Sequence, residues 1–283
     1  VMVFLWALPL GISIGILSGF FGVGGGFILT PVLLLLGFPP INAVATSLLY
    51  SMSTSVSGMV RHYKYGNISF KPAVILGLSG MAATQVALPF VLKIEELGYD
   101  DIVIPILYLI LLGYFALSML KSSRSESIKQ TMSDSIPKIA LIGFVAGLAS
   151  SILGVGGGFI MVPLMIKFLG FPPRMAVGTS LVSIFFIVTA GFISYVFSAT
   201  INITLGVALV LGALVGAQVG ASLTTLYANR RIQFFLSILY LATFLSVLSK
   251  LLGVPVIGLV ILAVYALALF TLFTFNSLRA KRS

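Results

Sequence analysis

The chain has 283 residues, of which 59% are hydrophobic and only 8% charged, with a mean hydropathy of +1.20. A water-soluble domain of this length needs several times more charge to coat its surface, so a soluble fold is excluded. Cysteine is absent, which removes disulfides, thiolate nucleophiles and thiolate metal sites, and the net charge of +10 reads as loop retention in the cytoplasm rather than a nucleic-acid surface.

Long apolar runs between short polar loops predict a polytopic all-α integral membrane protein. The alternating short segments of a transmembrane barrel are not visible. In chain order the full spans fall at 2–21, 41–63, 71–92, 102–120, 137–153, 174–198, 202–226, 231–250 and 254–276. Two further apolar pieces, 27–37 and 159–169, are each only about 11 residues, roughly 16 Å of helix, too short to cross a core of roughly 30 Å. Each is expected to return beside the span before it as a re-entrant hairpin or broken helix. The first span resembles a leader peptide in length, but Gly11, Gly15 and Ser18 recur as Gly143, Gly147 and Ser150. An internal copy argues that the segment is retained.

The short pieces carry a duplicated motif. Residues 20–40 read FFGVGGGFILTPVLLLLGFPP and residues 152–173 read ILGVGGGFIMVPLMIKFLGFPP, about 132 residues apart. Glycine triplets and internal prolines weaken an ordinary spanning helix, so two copies at matching places mark a wanted break. The repeat continues with AVATSLL at 43–49 against AVGTSLV at 176–182, Gly58 against Gly191, Gln85 against Gln218, and Tyr108 against Tyr240. The units expected are a first transmembrane repeat over 1–120, a cytoplasmic linker over 121–136, a second repeat over 137–250, and an extra C-terminal helix with a basic tail over 251–283.

Charge placement sets the topology. Arg61, Lys64 and Lys71 lie in one loop, Lys121, Arg124, Lys129 and Lys138 in the linker, Arg230 and Arg231 before the eighth span, and Arg279, Lys281 and Arg282 in the tail. All fall on one side if each short piece adds no net crossing. Lys167 and Arg174 join them, which leaves only Lys93 and Lys250 opposite. Each repeat is then a hairpin plus three crossings. Because three is odd, the second copy enters from the other face: an inverted-topology pair with one extra helix. Hairpin 22–40 opens outward and hairpin 154–173 inward, with the C-terminus cytoplasmic.

The broken segments indicate the ligand. A short helix after each GVGGG places unpaired backbone N–H groups and the positive end of a helix dipole near mid-membrane, where an anion is held without a charged side chain. Gly24, Gly25 and Gly26, with Gly156, Gly157 and Gly158, line this candidate site. Hydroxyls of Thr46, Ser47, Thr179 and Ser180 and the amides of Gln85 and Gln218 supply further donors. A small oxyanion fits such a set. Every Asp and Glu (Glu95, Glu96, Asp100, Asp101, Glu126 and Asp134) reads as a loop residue, which disfavours a cation except through backbone carbonyls. Arg61 and His62 mark a candidate cytoplasmic mouth. His62, the only histidine, reads as an interfacial loop residue more readily than as a proton relay. GVGGGF is neither a P-loop nor a dinucleotide fingerprint, since no Gly-Lys-Ser/Thr follows and no βαβ unit surrounds it.

The GVGGGF…P…LGF element in both halves, the A-x-A/G-T-S-L segment after each, and the length resemble the TauE/SafE family of sulfite exporters over nearly the whole chain. The resemblance implies a multi-pass permease of the cytoplasmic membrane for sulfite, sulfonates such as sulfoacetate, or related sulfur anions.

The function expected is thus a secondary transporter exporting a small sulfur-containing oxyanion by alternating access, with a channel-like pore or a permease for another small solute or ion as the alternative. An inside-negative potential expels anions at about 2.3 kcal/mol per charge per 100 mV, which favours export. With no acidic residue or histidine read inside the spans, three drives stay open: uniport, a substrate carrying its own proton, or an alkali ion on backbone carbonyls. An enzyme is not expected, because the spans lack a nucleophile–base pair, and no cofactor, catalytic residue or metal is expected. The partners expected are the anion and membrane lipid, not nucleic acid; association into a homo-oligomer is left open.

Overall fold

A computed structural model describes residues 2–124, 134–197 and 202–280. It contains eleven α-helices and no strand among these residues: α1 (Met2–Phe21), α2 (Gly26–Leu35), α3 (Pro40–Lys64), α4 (Phe70–Glu96), α5 (Asp100–Arg124), α6 (Ile136–Leu153), α7 (Gly158–Leu169), α8 (Pro173–Tyr195), α9 (Ile203–Leu223), α10 (Asn229–Leu251) and α11 (Pro255–Ala280). The sequence reading of nine long segments and two short ones corresponds to these helices. Eight of them are long and apolar enough to cross a membrane by length and composition, and the chain is a multi-pass helical membrane protein.

The long helix outside those eight is α3. Thr46, Ser47, Ser51, Ser53, Thr54, Ser55 and Ser57 dilute its hydropathy, and all seven are buried. Its neighbours α1, α2, α8 and α9 shield it. Several hydroxyls are satisfied by carbonyls: Ser55 Oγ donates to Ser51 O at 2.5 Å, and Ser57 Oγ reaches Leu214 O on α9 at 2.5 Å. A polar helix survives at this depth because protein surrounds it and its groups are paired.

The packing partners exchange between the halves. α1 lies along α9 and α6 along α4; α3 meets α9 and α8 meets α4; α3 also crosses α8, and α5 packs on α10. The small-residue spacing noted in the sequence makes the first of these contacts possible. A Cβ added at Gly11 would sit 2.7 Å from Leu209 O, and one at Gly147 would collide with the carbonyl of Gly80. Such backbone-to-backbone approach is the usual basis of helix association in lipid.

Contact order gives direction. Gly11 meets Leu209 and Gly15 meets Gly216, so α1 and α9 run parallel; Gly143 meets Leu76 and Gly147 meets Gly80, so α6 and α4 do too. Between the equivalent helices α3 and α8 the order reverses: Gly58 faces Leu181, while Gly191 faces Leu48. The equivalent helices α3 and α8 therefore run antiparallel.

One end of the bundle collects the basic residues. Arg61 Nε donates to Ser222 Oγ at 2.8 Å, the Ser69 amide to Thr179 Oγ1 at 3.0 Å, and Arg174 reaches the carbonyls of Thr225 and Tyr227. Tyr227 and Asn276 tie the C-terminal part of α11 to the same end. Lys93 and Lys250 lie in the last turns of α4 and α10, at the other end. Linker residues 125–133, with Glu126 and Lys129, and the tail residues Lys281 and Arg282 fall outside the described residues.

Two local expectations are corrected. Glu95 and Glu96 belong to the last turn of α4, and Asp100 and Asp101 to the first turn of α5; the helices continue through most of the expected acidic loop, and Lys93 pairs with Glu96 at 2.7 Å. His62 is not a loop residue. It lies in the last turn of α3 with no exposed surface, because α3 keeps its helical course to Lys64.

Candidate functional site

Each glycine motif forms a tight turn at the end of one long helix. α6 closes on Gly154 in the left-handed conformation (φ +69°), and Gly24 and Gly156 at the two turn tips have φ of +79° and +75°. Only glycine adopts these angles without strain. α2 then packs against α3 and α7 against α6 and α8, with Pro31 and Pro163 inside them. The LGFPP ends repeat as well: Gly37 and Gly170 take positive φ, and the second proline of each pair opens the next helix, a glycine stop followed by a proline start.

The two turns meet each other. A Cβ at Gly26 would strike the carbonyl of Gly154, and one at Gly158 would lie 2.6 Å from that of Gly22. These are the same contact seen from either half. Thr30 Oγ1 donates to Gly154 O at 3.2 Å, and Ser180 Oγ to Gly22 O at 2.7 Å. Phe27 and Phe159, the residues after each triplet, stack at 5.3 Å between centroids. Gly24, Gly25, Gly26, Gly156, Gly157 and Gly158 are all buried. The cradle around them is formed by α3 and α8.

The halves differ at one decisive place. The Gly26 amide donates to Ser51 Oγ at 2.7 Å and the Gly25 amide to Thr54 Oγ1 at 3.2 Å. Both acceptors come from α3, so the first two amides of the first hairpin's helix are occupied by protein hydroxyls. At the equivalent positions α8 carries Ile184 and Ile187. Ile184 packs on Gly24, Gly156 and Gly158 and accepts nothing. Gly157 and Gly158 thus have no hydroxyl from α8 at these positions to accept their amides. A helix N-terminus without a cap keeps its free donors and the positive end of its dipole.

The other predicted residues distribute unevenly. Thr46, Ser47, Thr179 and Ser180 are buried on α3 and α8. Ser180 bonds into the first turn, Ser47 Oγ has no partner, and Thr179 holds the amide of Ser69 instead of facing the tips. Gln85 and Gln218 are exposed on α4 and α9. Gln85 Nε2 lies 3.3 Å from Ser194 Oγ, and the structure does not bring either glutamine to the turns. Arg61 is half-buried at the basic end, over the ring of Tyr65. Ser51 and Thr54 were missed by the sequence reading. Their signal was available: a hydroxyl pair in one repeat where the other has isoleucines.

No group of three or more potential metal ligands occurs among the described residues. The cavity of about 380 Å³ between α3, α8 and α9 is lined by apolar side chains, among them Leu49, Phe192 and Val210.

Comparison with known proteins agrees with this architecture. Residues 7–247 match the family described as Sulfite exporter TauE/SafE. A probable membrane transporter protein of Methanocaldococcus jannaschii is 30% identical over 207 residues, covering 70% of this chain and 75% of that protein. One from Bacillus subtilis is 32% identical over 189 residues, covering 65% and 75%, and another from the same organism is 25% identical over 226 residues, covering 71% and 81%. No solved structure matches. With the family profile spanning most of the chain and two apolar hairpins packed tip to tip inside it, the protein belongs to the TauE/SafE family and is a multi-pass membrane transporter.

Proposed function

We propose that the chain exports a small sulfur-containing oxyanion, sulfite or a sulfonate such as sulfoacetate, across the cytoplasmic membrane by alternating access. The observation that carries this reading is the uncapped start of α7, buried at the junction of the two turns while its counterpart α2 is capped by Ser51 and Thr54. In transporters of this architecture, half-helix N-termini near the bilayer midplane hold anionic groups of the substrate. The substrate's oxygens accept from the Gly157 and Gly158 amides, with the hydroxyl of Ser51 across the junction as a further donor. No cationic side chain is required there.

The antiparallel course of α3 and α8 supports an inverted repeat. Rocking of one half against the other about the hairpin tips then exposes the junction to either side in turn. The basic end, assigned to the cytoplasm by the positive-inside rule, attracts the anion, and Arg61 sits at that mouth. The membrane potential drives the charge outward.

The test is equilibrium binding of sulfite, sulfate, sulfoacetate and chloride to purified protein, followed by flux in proteoliposomes. Selective binding of one sulfur anion, with saturable flux and counterflow, is the expected result. Binding of a cation or neutral solute alone would overturn the anion reading. Non-saturable flux without counterflow would make the protein a channel.

A further inference from the structure

We infer that Nδ1 of His62 is a proton-binding site and that its protonation favours opening of the basic end. The gating role rests on the transporter reading above; the protonation itself does not depend on which substrate is carried.

His62 Nε2 lies 3.1 Å from the carbonyl oxygen of Gly19 on α1. A carbonyl only accepts, so Nε2 carries the proton of the neutral ring. Nδ1 is buried and has no hydrogen-bond partner. The neutral imidazole therefore holds a bare lone pair in the seam between α1 and α3.

The surroundings decide what a second proton would do. α1 and α9, which pack along α3, contain no ionisable side chain. On α3 itself the neighbours are the cations Arg61 and Lys64 together with Tyr63, and the loop adds Tyr65. On α8 the nearest charge is Arg174, whose guanidinium is turned to the carbonyls of Thr225 and Tyr227. Glu95, Glu96, Asp100 and Asp101 lie at the far end of the bundle. Among the described residues, Asp134 before α6 included, no carboxylate is bonded to Nδ1. A proton on Nδ1 would create a charged donor without an acceptor, which is costly in a dry setting. Water entering the α1–α3 seam removes that cost. Proton uptake and opening of the basic end are therefore one event, and proton release accompanies closure.

The internal repeat shows what a purely structural residue does at this place. Tyr195 is the equivalent of His62, and its hydroxyl donates to Ser151 O at 2.6 Å, the equivalent of Gly19. Tyrosine makes the same clamp without titrating near neutral pH. The chain holds an imidazole at one end only.

The experiment exploits two features of the sequence, a single histidine and no cysteine. Imidazole-labelled full-length protein in nanodiscs gives an NMR titration of His62 alone. In parallel, Ser18→Cys, whose hydroxyl has no partner beside Gly19, reports opening through its labelling by a water-soluble thiol reagent. The expected result is a ring that takes up its second proton as the pH falls. Labelling of Ser18→Cys, divided by that of the same cysteine in a His62→Tyr background, rises as pH falls, by up to about tenfold per pH unit for one proton. His62→Tyr should keep the fold and lose the pH dependence of transport; if it does not fold, His62→Gln offers an amide N–H in place of Nε2–H and serves instead. A ring that stays neutral throughout, a flat labelling ratio, or a variant with the wild-type pH profile would overturn the inference. Titration without sulfur-anion binding would sink the substrate reading and keep the proton site; anion binding without titration would do the reverse.

Discussion

Ser51 on α3 and Ile184 on α8 occupy equivalent positions in the two halves, yet Ser51 accepts the Gly26 amide at 2.7 Å while Ile184 presses methyl groups on Gly156 and Gly158. One substitution in register makes a symmetric fold chemically one-sided. The first hairpin is tied to its neighbouring helix, and the second keeps its donors.

Removing the caps should cost stability in the first half alone. Ser51→Ala with Thr54→Val leaves two buried amides unpaired, and each is expected to cost about 1–3 kcal/mol. Thermal unfolding in detergent should show the loss, whereas Ile187→Val should change it by no more than about 1.5 kcal/mol.

The α4–α6 seam has no room for a methyl group. Gly147→Ala places a Cβ against the Gly80 carbonyl, and about 1–3 kcal/mol of destabilisation is expected from overpacking. Gly206→Ala is the control, since its Cβ would meet only Leu49 Cδ2 at 3.3 Å. Equal melting temperatures for the two variants would contradict the close packing.

The glutamine pair gives a third expectation. Gln85→Ala combined with Gln218→Ala should retain anion binding within about twofold, which is under about 0.5 kcal/mol, because both side chains are exposed while the turns are buried. Equilibrium binding to purified protein checks this. Loss of binding would shift the site toward α4 and α9.

Orientation is tested by labelling, since the chain has no cysteine background. Tyr65→Cys sits at the basic end and Leu97→Cys at the acidic end, both exposed. A membrane-impermeant thiol reagent applied to intact cells should label position 97 and spare position 65. The opposite pattern would place the basic end outside, against the positive-inside rule.

Much of this architecture was legible in the residues. Apolar run length located every helix of the bundle, and the duplicated GVGGG and LGFPP elements located both turns, because glycine and proline restrict the backbone locally. Directions of packing follow from Gly11, Gly15, Gly143 and Gly147 once their partners are seen. Side-chain facing was harder to read. Gln85 and Gln218 match in register, but register does not say which way a helix face turns, and both turn outward. His62 sits beside Arg61 and Lys64 in a polar stretch that reads as a loop. Only the packing of α3 against Gly19 buries it. The asymmetry at Ser51 and Thr54 acquires meaning when the Gly25 and Gly26 amides are found bonded to them.

The most direct measurement is the affinity of the bound sulfur anion for Ile184→Thr, compared with wild type and Ile184→Val. Threonine brings a hydroxyl to the free amides of the second hairpin, as Ser51 does in the first. Affinity is expected to fall at least about tenfold, or about 1.4 kcal/mol, while Ile184→Val stays close to wild type. Unchanged affinity in Ile184→Thr would mean that the start of α7 does not hold the anion.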